Sequence, residues 1–399
     1  MSTRPAPRPQ LARGRLPVLA LGGICLLLGL TGGLARLGAG TPSPQSAAAG
    51  HGVLMTLGFL GTLISLERAV ALRHAWGYLA PVLSGLGGIA YVAGAPAPGP
   101  ALLFAAAGAW LIGAYLVMWQ VQPALHIAIQ MLGAIAWWAA ALLWLIGRGL
   151  PAIVPWLAAY VILTISGERL ELARVALRGT RHLPGLVIWS VLIMAGPAVS
   201  VLRPVAGGRV FGVGLLVLAA WLVRYDVARR TVRTSGLTRY MAVCLLTGYV
   251  WLTLAGVLWV VEGQIASGPG YDGAVHAVFF GYAMSMVLGH APVILPAVLR
   301  VRLPHHPRDY AVLALLHVSF ALRILGGDLA GVDALRVLGG SLGVVTLLAF
   351  VANAISSIIG AQRAADVRPA PAAPRAAAAR AAAPGSPSPA ASGTPSEDR

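Results

Sequence analysis

Lysine is absent from this chain: all 29 basic residues are arginine. That reads as compositional bias, because the arginines sit between apolar runs and in the two tails. The same placement argues against nucleic acid as a partner, despite a formal charge of +17. Acid is scarce too, and charged residues make up only 10% of the chain. A soluble domain carries about 25%. There are two cysteines, Cys25 and Cys244, each inside an apolar run and neither placed for a disulfide. No Cys-x-x-Cys-His occurs, which excludes covalent c-type haem attachment. A P-loop, a His-Glu-x-x-His zinc motif and a Gly-x-Ser-x-Gly elbow are also missing, so hydrolase readings have no support.

What the chain has is apolar length. Hydrophobic residues reach 58%, and twelve runs of membrane-spanning length fall between residues 16 and 360, among them 51–72, 152–177 and 273–299. The expected fold is an all-α polytopic membrane protein. A basic tail over 1–15 precedes a membrane domain over 16–360, and an Ala/Pro/Ser/Arg tail over 364–399 follows. The tails have no apolar period and are expected to be disordered. Arg4, Arg8, Arg13 and Arg15 put the N-terminus in the cytoplasm, before an uncleaved first helix. Arg68 and Arg73, Arg174 to Arg181, Arg224 to Arg239 and Arg300 to Arg308 then fall on that same side. Twelve spans bring the C-terminus back to it. The expected location is the cell (inner) membrane, with lipid as the first partner.

One motif recurs. Ser65-Leu66-Glu67-Arg68 closes the second span, and Ser166-Gly167-Glu168-Arg169 closes the sixth, 101 residues on. The tenth span runs the same way but keeps only an inner arginine, Arg300. Three groups of four helices would explain the spacing. A plain preference for arginine at inner helix ends would explain it as well.

Histidine is where chemistry enters. Four of the nine, His74, His182, His305 and His306, lie in cytoplasmic loops and read as solvated. The other five lie in spans. His51 opens the second span and His276 lies near the outer start of the tenth, so these two are level. His290 follows His276 by fourteen residues on nearly the same helical face, roughly 21 Å along the axis. His317, on the next span, is level with His290. His126 sits at the inner mouth of the fifth span. Two facing imidazoles at one depth are what a bis-imidazole haem needs. Gly58, Gly61, Gly281, Ala283 and Gly289 are candidates for clearing room beside the rings. The competing reading has outer histidines bonded to water or headgroups, and inner ones to a neighbouring helix. His290, His317 and His126 are candidate metal ligands on the same argument. Met55 and Met286 are candidate soft copper ligands, although methionine in an apolar span usually packs.

These residues resemble a known family. His51-Gly-Val-Leu-Met55-Thr-Leu-Gly58-Phe59 is similar to the His-x-His-Glu-Met-x-x-Gly-Phe start of the second helix in NnrS-like membrane proteins, distant relatives of the haem-copper oxidase main subunit. His276-Ala277, Gly281, Met286 and Leu288-Gly289 resemble that family's tenth-helix stretch, His-Ala-(x)3-Gly-(x)4-Met-x-Leu-Gly. Val53 and Leu54 replace the family's second His and Glu, and His290 replaces an apolar residue. The resemblance implies twelve helices, a non-covalent b-type-like haem on His51 and His276, room for copper, and a role in electron transfer or around nitric oxide. A terminal oxidase is argued against directly, since spans six and seven carry no histidine for its copper site. The alternative is a cofactor-free transporter, with Glu67, Glu168 and the inner histidines as proton or substrate groups.

Overall fold

The computed structural model describes residues 11–40, 42–173, 179–264 and 266–367. Among these are twelve helices long and apolar enough to cross a membrane. They are α1 (Arg13–Arg36), α2 (His51–Leu72), α3 (Ala75–Val92), α4 (Pro98–Val121), α5 (Leu125–Leu145), α6 (Leu150–Ala173), α7 (Leu183–Ser200), α8 (Pro204–Tyr225), α9 (Gly236–Glu262), α10 (Pro269–Leu299), α11 (Asp309–Leu329) and α12 (Asp333–Ala364). The described residues contain no strand. A helix satisfies its backbone internally, so an apolar run in hydrocarbon has that solution and no open-sheet alternative. Proline near the first position starts α4, α7, α8 and α10, where its missing N–H costs little. The chain is an integral membrane protein, and large apolar side chains such as Leu102, Val191 and Val250 face outward where lipid lies.

Three helices are central. In α2, α6 and α10, 72%, 78% and 61% of the apolar window is buried, against 56% at most in any other helix. These three touch one another, and the other nine lie around them in the order α1, α3, α4, α5, α7, α8, α9, α11, α12, with α12 returning to α1. Each group of four therefore places its second helix inside. The Ser-x-Glu-Arg echo marks two of those inner helices.

The third inner helix resembles the first in a way composition does not reveal. In α2, His51 is followed by a π-helical segment, Leu54–Gly61, and the helix ends on a left-handed Arg73 (φ 60°). In α10, His276 is followed by a π-helical segment, Ala277–Ala283, and the helix ends on a left-handed Arg300 (φ 56°). Wide π turns of this kind are frequent at functional sites.

The helix ends differ from expectation in two places. Residues 11–15 are ordered: the Ala12 N–H donates to the Leu299 carbonyl at 3.0 Å, and Arg15 donates to the Val298 carbonyl. They occupy terminal carbonyls of α10 that have no partner within the helix. The last helix runs on to Val367. The remainder of both expected tails, 1–10 and 368–399, lies outside the described residues, as does Arg174.

Candidate functional site

His51 and His276 are brought together. Their ring centroids are 6.3 Å apart and their planes are inclined by only 21°. Each ring is oriented through Nδ1. The Nδ1–H of His51 donates to the Gly29 carbonyl of α1 at 2.7 Å. The Nδ1–H of His276 donates to the Asp272 carbonyl at 2.9 Å, with the Asp272 carboxylate 3.2 Å away. A ring whose Nδ1 carries the proton has its free lone pair on Nε2. Among the described residues neither Nε2 has a hydrogen-bond partner, and both rings line one cavity.

The separation is informative. An imidazole nitrogen lies about 1.1 Å from its ring centre, and a nitrogen–metal bond is about 2.0 Å. Two rings coordinating one metal from opposite sides therefore have centroids about 6.2 Å apart. The observed spacing suits one metal between them.

The cavity holds about 400 Å³. Cofactor sites span about 300–1,000 Å³. Its apolar walls come from α1, α2, α6, α10, α11 and α12, with Leu30, Met55, Val154, Phe279, Phe280 and Leu347 among them. A glycine face on α12, Gly339, Gly340 and Gly343, forms one side. Gly33 of α1 lies against His51, and a Cβ there would be 2.9 Å from the ring Cε1. Arg36, Arg323 and Arg336 also line it. The lining is thus apolar walls, two imidazoles, three arginines and two carboxylates, Asp272 and Asp328, and the excess of arginine suits a flat apolar macrocycle bearing carboxylates.

A family model described as a domain of unknown function, DUF8744, matches residues 15–359. The chain belongs to the DUF8744 family. No curated protein and no solved structure matches it. The matched region takes in every helix that bounds the cavity.

The small residues expected to clear room in this DUF8744 chain are not the ones that do so. Gly58 faces Cys25 of α1, Gly61 faces Trp137 of α5, Gly281 faces Trp251 of α9, and Gly289 faces Cys244 of α9. They let helices approach, and neither they nor Ala283 line the cavity. The glycines that line it in the helices are Gly33 of α1, Gly52 of α2 and Gly339, Gly340 and Gly343 of α12, and for the last three a Gly-Gly-x-x-Gly pattern after Arg336 was the signal. Met55 lines the cavity, while Met286 packs its methyl against Gly248 of α9.

The inner histidines do not form a pair. His317 accepts a hydrogen bond at Nδ1 from the Trp251 indole at 2.8 Å, and its Nε2–H donates to Thr247 at 2.9 Å. Both nitrogens are taken, so no lone pair is left for a metal. The Nδ1–H of His290 donates to the Met286 carbonyl at 2.7 Å, and its Nε2 faces the Arg169 guanidinium at 3.4 Å. His126, half-buried at the start of α5, does not line the cavity. Among the described residues no group of three or more His, Cys, Asp or Glu is placed to hold a metal ion. His305 departs from its solvated reading: it stacks on Tyr240 with centroids 4.9 Å apart and bonds Asp309 at 2.7 Å.

The two repeated arginines knit the inner helices together. Arg68 of α2 pairs with Glu67, lies 3.9 Å from Glu168 of α6, and reaches Gln130 of α5 at 3.4 Å. Arg169 of α6 makes a two-pronged pair with Asp226, both contacts at 2.8 Å. Tyr249 also donates to Asp226, at 2.7 Å, as does the Ala228 N–H, at 2.8 Å. Asp226 lies in the connection after α8. Burial opposes its ionisation, but the Arg169 hydrogen bonds and charge, with the Ala228 N–H and Tyr249, hold its carboxyl below its ordinary value.

Proposed function

We propose that this protein holds a non-covalent, b-type-like haem between His51 and His276 and serves in electron transfer within the cell (inner) membrane. The observation that carries the reading is the imidazole pair: rings 6.3 Å apart, each tautomer set through Nδ1. Bound there, a haem supplies a one-electron couple. The chain's own residues do the rest. His51 and His276 offer neutral nitrogens, the apolar walls exclude water, and Arg36 and Arg336 offer cationic partners for carboxylates. With both His51 and His276 holding it, such a group would supply electron transfer rather than gas binding. The resemblance to NnrS-like proteins supports haem and suggests a setting around nitric oxide. Copper has less support, because Val53 and Leu54 stand where that family has His and Glu.

The test is the visible spectrum of protein purified after expression with haem supply. A sharp Soret band with split α and β bands is expected. His51→Ala or His276→Ala should leave haem weakly held or high-spin, and the double variant should lose at least ~90% of it, as expected when both metal bonds go. A full low-spin spectrum in the double variant overturns the assignment. A colourless wild type favours the transporter reading, in which the same arginines would receive an anionic solute.

A further inference from the structure

The two imidazoles are held by unlike partners. His51 donates to a backbone carbonyl, a neutral and fixed acceptor. His276 has a carboxylate within reach as well, because Asp272 lies one turn earlier on the same helical face. The two oxygens of Asp272 are divided. Oδ1 lies 3.2 Å from His276 Nδ1, while Oδ2 receives Arg323 of α11, whose Nε is 3.2 Å away. Arg323 belongs to the π-helical segment Leu322–Leu329, whose wide turns carry it into the cavity wall. Asp272 is therefore pinned from one side and aimed at the ring from the other.

We propose that Asp272 is a positioning residue that makes His276 the stronger electron donor of the pair and lowers the reduction potential of the bound haem. The inference rests on the haem reading above. The Asp272 carboxylate lies 3.2 Å from the Nδ1 whose proton goes to the Asp272 carbonyl, and its charge there pushes electron density toward Nε2, as in carboxylate–histidine–metal arrangements. A more basic ligand favours the more highly charged, ferric iron. Arg323 fixes the carboxylate's direction and draws off part of its charge, so the donor strength of His276 is set by a residue on a different helix. Among the described residues no carboxylate is paired with His51, whose Nδ1 bonds the Gly29 carbonyl.

The experiment is a spectroelectrochemical titration of full-length, haem-loaded protein in detergent. Asp272→Asn keeps size and a hydrogen-bond acceptor but removes the charge. It should retain the low-spin spectrum and raise the midpoint potential. Glu262→Gln is the control: Glu262 closes α9 at the same end of the molecule, does not line the cavity and does not touch His276. Its potential should stay at the wild-type value. Equal potentials for Asp272→Asn and wild type, or equal shifts in the two variants, overturn the inference while leaving the haem site standing. If Asp272→Asn loses haem, occupancy is read in Asp272→Glu. Recovery there supports a carboxylate anchor for the ring, and no recovery overturns it. Failure of the haem reading itself looks different, since the wild type then yields no potential to measure.

Discussion

His317 accepts from the Trp251 indole at one nitrogen and donates to Thr247 from the other, whereas His51 spends only its Nδ1 proton. That difference decides which ring can ligate, and spacing along a helix does not carry it. The level of His51 and His276 was legible from their places in α2 and α10. The identity of their partners was not, because Gly29 acts through a backbone carbonyl that any residue would present, and Asp272 through its own carbonyl as well as its carboxylate. Gly33 was equally silent in the sequence, yet it touches the ring. Gly33→Ala puts a Cβ 2.9 Å from His51 Cε1 and 3.1 Å from Nδ1, the nitrogen already held by the Gly29 carbonyl. Overpacking of this kind costs about 1–3 kcal/mol, so haem retention should weaken roughly 5- to 150-fold, read as the haem-to-protein ratio after dilution. Gly343→Ala is the contrast. Its Cβ would lie 3.1 Å from the far end of the Phe280 ring, which can rotate aside. Retention there should be near wild type, and equal losses in both variants would remove the special role of Gly33.

At the scale of elements, the helices themselves were the legible part. Apolar length drives each span, and most expected and observed boundaries agree to within about four residues, the scatter usual for helix ends. The largest difference is α8: the apolar run 210–226 alone points to a later start, but the helix begins at Pro204 because proline suits a helix start. The π segments of α2, α10 and α11 were not legible, since apolar periodicity cannot separate a π turn from an α turn in a run that is apolar all round. The clasp between Arg169 and Asp226 was half legible: the arginine through its motif, the aspartate not at all, as it comes from a loop 57 residues away. Both side chains are nearly fully buried, at 3% and 1% exposure. Breaking such a pair from one side costs about 3–5 kcal/mol, so Asp226→Asn should destabilise markedly in a detergent-unfolding titration. Asp226→Leu combined with Arg169→Leu should cost less, because no lone charge stays buried. The pH dependence has a defined sign. A carboxyl held below its ordinary value stabilises the fold above that value, 3.8, and the contribution is lost as pH falls through the lowered one. Wild type should therefore lose stability below about pH 4, and Asp226→Asn should lack that component. An identical acid profile in both would show that Asp226 does not titrate with folding.

For the whole molecule, both ends of the described chain gather at one end of the bundle. Ala12 bonds the last turn of α10, and Arg308 at the start of α11 bonds Ser357 near the end of α12 at 2.8 Å. The arginine-rich connections after α2, α8 and α10 lie at that same end, because successive spans alternate in direction. His51, His276 and their cavity lie at the other. Arginine excess in short loops marks the cytoplasmic side, and the loops at the histidine end carry few and mixed charges. The predicted orientation follows: the cavity between His51 and His276 faces outward, where a partner outside the cytoplasm would meet it. Reporters fused after Arg181, Arg233 and Arg308 should read cytoplasmic, and reporters placed within 263–271 should read external. An external reading after Arg181 would break the alternation at α6, and with it the arrangement that brings α2 and α10 to the same face with their histidines level. A uniform inversion of all four reporters would leave the fold intact and turn the cavity, with its redox partner, toward the cytoplasm.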